Sequence, residues 1–334
     1  MLKFLFSKKV RLIGGLILFG GFYAFHFRKV DSTVYETHMV ENLTIAPTHM
    51  PITNEPEEDL SADSLLVRGS SLNLGDSTDQ VLKAFGAPGR IDVSEYGYDY
   101  YIYNNDYSRM AFIAIQKNKV VGFYTDSTDL SFHNIKYGDS LEQINKAFEK
   151  NYSLDSILSY ETETYTAKIL MDQLETNTVT GIYVLSKNVD PTFTEDIARD
   201  YSEDVIHNKE LMSYDLVNSM RKRHELKALS WSSSAGTAAR KHSAAMASKD
   251  FFSHIDPERR TPGGRLFAEG IGYSDCSENI IGGYEDAILA NHGFYNSRKQ
   301  RQNILSSKYR YMGAGFAYDP KSKYRTYFTQ VIYR

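Results

Sequence analysis

Ala239-Arg240-Lys241-His242-Ser243-Ala244-Ala245-Met246, Phe251-Phe252-Ser253-His254, Ser277-Glu278-Asn279-Ile280, Asn303-Ile304-Leu305 and Gly313-Ala314-Gly315-Phe316 follow one another near the C-terminus. Around them the apolar spacing predicts a helix over 197–226 that ends in Arg221-Lys222-Arg223. Leu229 and Trp231 precede an alanine-rich helix over 234–248, shaped for close packing. A Pro/Gly stretch (Pro257, Pro262, Gly263, Gly264) reads as loop. A third helix is expected over 284–297, a short crossing segment over 301–305, and aromatic-rich strands over 311–318 and 324–333.

Upstream, Gly75-Asp76-Ser77 and Lys83-Ala84-Phe85 recur 63 residues later as Gly138-Asp139-Ser140 and Lys146-Ala147-Phe148. Each copy carries a Ser-x-x-Gln capping box, Ser77 with Gln80 and Ser140 with Gln143, that starts a short helix. Strands are expected over 96–103, 110–116 and 119–124, with a turn at Asn118-Lys119. Val121-Gly122-Phe123-Tyr124 is echoed by Thr180-Gly181-Ile182-Tyr183. Residues 67–190 are therefore expected to form a duplicated helix-plus-β-meander domain, α+β in class.

The 334-residue chain has a net charge of -4, which conceals a segregation by sign. Residues 1–30 carry six cations and no acid, residues 31–204 hold 12 basic and 30 acidic residues, and residues 205–334 hold 20 and 12. At 42% hydrophobic and 24% charged residues, wholesale disorder and collagen-like sequence are excluded. Cys276 is the one cysteine, so an intramolecular disulfide and a cysteine-based zinc cluster are excluded too.

Leu12 to Phe25 is an uncharged apolar run behind Lys8, Lys9 and Arg11, the pattern of a signal sequence or an uncleaved anchor. It is followed by bulky residues rather than a small-x-small cleavage site, so residues 1–30 are read as an anchor; a cleaved signal and a buried helix are the alternatives. The stronger positive cluster precedes the run, which puts the remainder outside the cytoplasm, at a cell membrane crossed once. Residues 31–66 are read as an acidic, extended linker, since 31–66 contains no Lys or Arg.

The C-terminal motifs resemble the CAP superfamily (cysteine-rich secretory proteins, antigen 5, pathogenesis-related 1) in its cysteine-poor bacterial form. Over residues 205–334 this implies an α-β-α sandwich with a cleft on one side. Leu74-Gly75-Asp76 through Gly86-Ala87-Pro88 resembles the CAP-associated N-terminal domain of exported Gram-positive proteins. In the superfamily two histidines and two acids converge in the cleft, and some members hold a divalent metal there. His254 and Glu278 match the first histidine and the glutamate; Gln300 stands in the second histidine position, and Asn303 completes the expected cleft. Glutamine is a weak, neutral donor for zinc and carries no proton near neutral pH. The resemblance with this departure implies a binding protein with no catalytic residue, no metal and no cofactor. The alternatives are a weak divalent metal at His254/Glu278 and a wall or peptide hydrolase that uses the same pair. Ser253 is only a sequence neighbour of His254, and His292 is expected to face solvent. Cys276 is expected to be a small buried hydrophobe. The expected partners are anionic wall polymer or lipid headgroups, through Arg298, Lys299 and Arg301. A protein partner of the duplicated domain is the other expectation, and nucleic acid is disfavoured by the acidic middle. The segregated signs further predict that the acidic domain docks on the basic one.

Overall fold

The computed structural model describes residues 64–189, 201–284 and 286–334. The expected anchor and most of the acidic linker lie outside these residues. Among the described residues no helix is long and apolar enough to cross a membrane.

The N-terminal half runs β1 (Leu65–Val67), β2 (Ser70–Leu72), α1 (Thr78–Phe85), β3 (Arg90–Val93), β4 (Asp99–Tyr103), β5 (Ala111–Gln116) and β6 (Lys119–Thr125). It continues with β7 (Ser131–Phe132), β8 (Ile135–Lys136), α2 (Leu141–Phe148), β9 (Ile157–Glu161), β10 (Tyr165–Met171) and β11 (Val179–Ser186). β1 begins inside the stretch expected as linker, because Leu65 and Val67 alternate into the core. The hairpin turn is Lys117-Asn118, one residue earlier than expected; both have positive φ, as a type I′ turn demands.

The duplication survives in three dimensions. Both capping boxes form, with Ser77 and Ser140 each accepting from the backbone of their glutamine. Gly75 N–H donates to Val120 O at 2.8 Å, and Gly138 N–H to Val179 O at 2.9 Å. The seven-stranded antiparallel sheet is ordered β3-β4-β5-β6-β11-β10-β9, so the two copies meet at β6 and β11, where Tyr124 pairs directly with Tyr183. One face packs under α1 and α2 through Val81, Ile144, Phe123 and Ile182. The opposite face presents Tyr98, Tyr100, Phe112 and Tyr124.

The C-terminal half runs α3 (Glu203–Arg223), β12 (Ser230–Trp231), α4 (Ser233–Lys249), α5 (Pro262–Ala268), β13 (Cys276–Gly282), α6 (Ala287–Tyr295), α7 (Arg298–Ile304), β14 (Tyr311–Tyr318) and β15 (Thr326–Tyr333). Its sheet is ordered β12-β14-β15-β13. The alanines of α4 let that helix lie directly on the sheet. A Cβ at Gly313 or Gly315 would come within 2.0 Å of α4 backbone, so both positions demand glycine. α3 and α6 cover the other face through Met212, Leu216, Ile288 and Phe294, against Met312, Phe316 and Phe328. Two elements escape the sequence pattern. β13 carries Glu278 and Asn279 mid-strand, and α5 begins within the Pro/Gly stretch, with Thr261 capping it and Pro262 in its first turn.

α3 and α6 also pack on the tyrosine face of the seven-stranded sheet, so one apolar core is shared by both halves. Buried ion pairs cross the same junction. Lys209 meets Glu95 at 2.5 Å, Arg301 meets Asp172 at 2.5 Å, and Arg223 meets Asp126. In these three pairs the cation comes from the C-terminal half, as the segregated signs predict. Arg90 reverses the sense and reaches Asp215 at 2.8 Å. Pairs desolvated this far add little net stability when formed, but removing one partner costs about 3–5 kcal/mol.

Candidate functional site

Consecutive residues of a strand point to opposite faces, and this divides the expected site. In the β13–β15 register Glu278 lies opposite Val331 and Asn279 opposite Gln330. Glu278 turns toward α4 and α5, whereas Asn279 turns toward α3, α6 and α7.

On the α4/α5 side, His254 Nδ1 lies 2.9 Å from Glu278 Oε1, and Arg265 donates to Glu278 Oε2 at 2.6 Å. Arg265 also holds His254 O at 3.0 Å and Arg260 O at 2.9 Å, so one guanidinium fixes the loop and the acid together. The loop is further pinned by Asp256, which accepts from Arg260 N at 2.8 Å and Arg260 Nε at 2.8 Å. Ser253 Oγ accepts from Ile255 N at 3.1 Å and so serves the turn rather than the imidazole. Behind the pair, His242 is 1% exposed; its Nε2 lies 3.0 Å from Ser253 O and 3.7 Å from Glu278 Oε1. Burial, reinforced by Arg265, pushes His242 below the usual imidazole range, and Glu278 offsets this in part. Neutral His242 then donates from Nε2 to Ser253 O. The side chain of His254 is 42% exposed, whereas that of Glu278 is 1% exposed. Glu278 accepts the Nδ1 proton, which leaves Nε2 of His254 as the ring nitrogen with no partner among the described residues.

On the other side a chain of amides links four elements. Asn303 Nδ2 donates to Asn279 Oδ1 at 2.8 Å, and Asn279 Nδ2 to Gln330 Oε1 at 3.1 Å. Gln330 Nε2 in turn reaches Asn291 Oδ1 at 2.7 Å. Gln300 joins through its backbone carbonyl, 3.3 Å from Asn279 Nδ2. The structure thus brings His254 to Glu278 and Asn303 to Asn279, and it does not bring Gln300 to the imidazole. His242 and Arg265 were missed in the sequence. Each stood in a stretch read for packing or loop, and no spacing signalled that three helical or loop segments would meet one carboxylate.

Two expectations need correction. His292 is 4% exposed, with Nε2 2.7 Å from Ser156 O. Burial pushes its pKa down to about 4. It is buried because α6 lies between the two sheets and has no solvent face at this position. Arg301 is not a free cation at the cleft. It is 3% exposed, paired with Asp172 and bonded to Tyr295 O at 2.6 Å. Arg298 and Lys299 remain exposed, on the α7 side. Cys276 is half-buried beside Leu266 and Val331, and burial raises its thiol pKa.

The donor set suits a cation poorly. One oxygen of Glu278 is taken by the cationic Arg265, and Nε2 of His242 is taken by a carbonyl. Among the described residues no group of three or more His, Cys, Asp or Glu side chains is placed to share an ion.

A family model described as CAP, cysteine-rich secretory protein family, matches residues 214–332. Residues 214–332 are thus a CAP domain. A second model, the CAP-associated N-terminal domain, matches residues 74–169, the duplicated sheet. The CAP-domain chain is 24% identical over 289 residues to the uncharacterized membrane protein YlbC of Bacillus subtilis, covering 77% of this chain and 81% of that one. An extracellular protein of Bacillus anthracis containing an SCP domain superposes with a TM-score of 0.66 at 22% identity, over 85% of this chain and 100% of that one. A cysteine-rich secretory protein of Staphylococcus aureus gives 0.59 at 18% identity, over 78% and 93%. At such identities the likeness establishes the fold, α+β with a CAP-type α-β-α sandwich.

Proposed function

We propose that this CAP-domain protein is held at the outer side of a cell membrane by residues 1–30 and binds an envelope polymer on its His254 face without cleaving it. The observation that carries this reading is the commitment of Glu278. Both its oxygens are bonded, to His254 and Arg265, so it is no free base or nucleophile. The face offers an acceptor nitrogen on His254 flanked by exposed Phe252 and Ile255, which suits a hydroxylated ligand with an apolar side. The membrane placement draws support from the apolar run Leu12 to Phe25 and from the relative named a membrane protein.

A second reading rests on the same pair. An Nδ1–H held by a carboxylate with Nε2 outward is the arrangement of a general base, which would activate water for hydrolysis. Incubating the full chain with purified insoluble walls separates the two. Binding predicts sedimentation with the walls, no soluble fragments above a protein-free blank, and retention reduced about tenfold in His254→Ala. Fragments released at a rate that His254→Ala abolishes would establish the hydrolase instead.

A further inference from the structure

The two copies of the duplicated unit diverge on the face they turn toward the CAP domain. Each hairpin carries a register shift at the same point, between Ala114 and Ile115 in β5–β6 and between Leu170 and Met171 in β10–β11. Matching these shifts places Ala111 with Ala167, Ile113 with Ile169 and Tyr124 with Tyr183, and all six are buried. The same match places Phe112 with Lys168 and Met110 with Thr166. Phe112 and Met110 are 0% exposed and belong to the core shared with α3 and α6. Lys168 and Thr166 line a cleft of about 530 Å³ between the sheet and the β13–α6 connection.

We propose that this junction cleft binds a small amphipathic anion, with Lys168 holding its carboxylate or phosphate and the tyrosine and leucine walls holding an apolar body. The volume is in the range of small-molecule sites. Tyr96, Tyr183, Tyr284, Leu185 and Leu289 supply the apolar walls. Lys168 has no acidic partner among the described residues, and its ammonium lies 5.9 Å from the Tyr183 ring centroid. Asp286 borders the cleft, but its oxygens accept from Ile288 N at 2.7 Å, Leu289 N at 3.1 Å and the Tyr183 hydroxyl at 3.1 Å. Its charge is therefore satisfied in place by the start of α6. Lys187 is at the rim and pairs with Glu161 across 3.2 Å of largely solvated space, a contact an anion can displace. In the first copy the equivalent volume is filled by Phe112 and Met110; in the second it is left open with a cation at its floor.

The test uses 1-naphthoate as probe on the full chain, followed by calorimetry. Saturable binding to one site is expected. Lys168→Met should weaken it at least about tenfold, and the uncharged 1-naphthamide should bind at least about tenfold more weakly than the acid. Lys168→Phe restores the residue of the first copy; it should abolish binding and raise the melting temperature. Unchanged Trp231 fluorescence in both variants shows that they fold. No saturable binding up to about 5 mM, or binding unchanged in both variants, overturns the site. Equal affinity for acid and amide overturns the role of Lys168.

Discussion

The two faces of the C-terminal sheet treat charge in different ways. The α3/α6 face is closed by a second sheet, and three ion pairs there, Lys209–Glu95, Arg301–Asp172 and Arg223–Asp126, are desolvated and join segments more than 80 residues apart. On the α4/α5 face the partners of the buried acid Glu278 grade from fully buried His242 through Arg265 to half-exposed His254. The closed face uses charge to fix which surfaces dock. The open face uses charge to hold a single imidazole in one orientation toward solvent. Both need buried acids, but only on the second does a neighbour remain accessible to a ligand.

The largest effect should come from breaking the closed face. Asp126→Ala leaves Arg223 buried without its carboxylate, and the expected loss is about 4 kcal/mol in urea unfolding at pH 7. A loss below about 1 kcal/mol would mean the docking is set by the apolar core alone.

Next in size is a dependence on pH. His292 titrates near 4 in the folded chain against 6.5 in its absence, so the unfolded state binds the proton more readily. Stability is therefore fully present above about pH 6.5 and falls as pH drops toward 4, by about 3 kcal/mol from this group. His242 and His224 are also lowered, first by burial, and add to the same slope. The difference in slope between the wild type and His292→Gln isolates His292. Parallel slopes would show that His292 is solvated. For Asp172, burial raises the pKa, but Arg301 and the backbone N–H groups of Leu174 and Glu175 outweigh it and hold the carboxyl low. Its contribution is present above about pH 4 and is lost as pH falls through its folded value.

Breaking the open face should cost less. Glu278→Ala removes one of three acceptors from Arg265, and about 2 kcal/mol is expected, measured by the same unfolding curves. His254→Ala should change stability by less than about 1 kcal/mol, because the ring is half in water.

How much of this could be read in the chain depends on the range of the interaction. Ser77 and Ser140 declare their helices through residues three positions away, and the local rule is met in both copies. The close packing of α4 is likewise written in its alanines. β13 was not legible, since Ser277-Glu278-Asn279 is polar and becomes a strand only because Val331 and Gln330 pair with it. Buried His292 gave no warning, because its burial comes from a sheet more than 100 residues earlier in the chain. The opposed net charges did predict docking, but not that Arg301 would be consumed by it. The pair His254–Glu278 was legible from resemblance to the CAP superfamily, while its partners His242 and Arg265 were not.

On the proposed function, ligand is taken on the open face and not by the exposed cations of α7. Retention of the full chain on purified insoluble walls, compared between His254→Ala and the double variant Arg298→Ala/Lys299→Ala, tests this directly. His254→Ala should lose about tenfold in retention while the double variant keeps it within about twofold. Retention that survives His254→Ala and collapses in the double variant would contradict it.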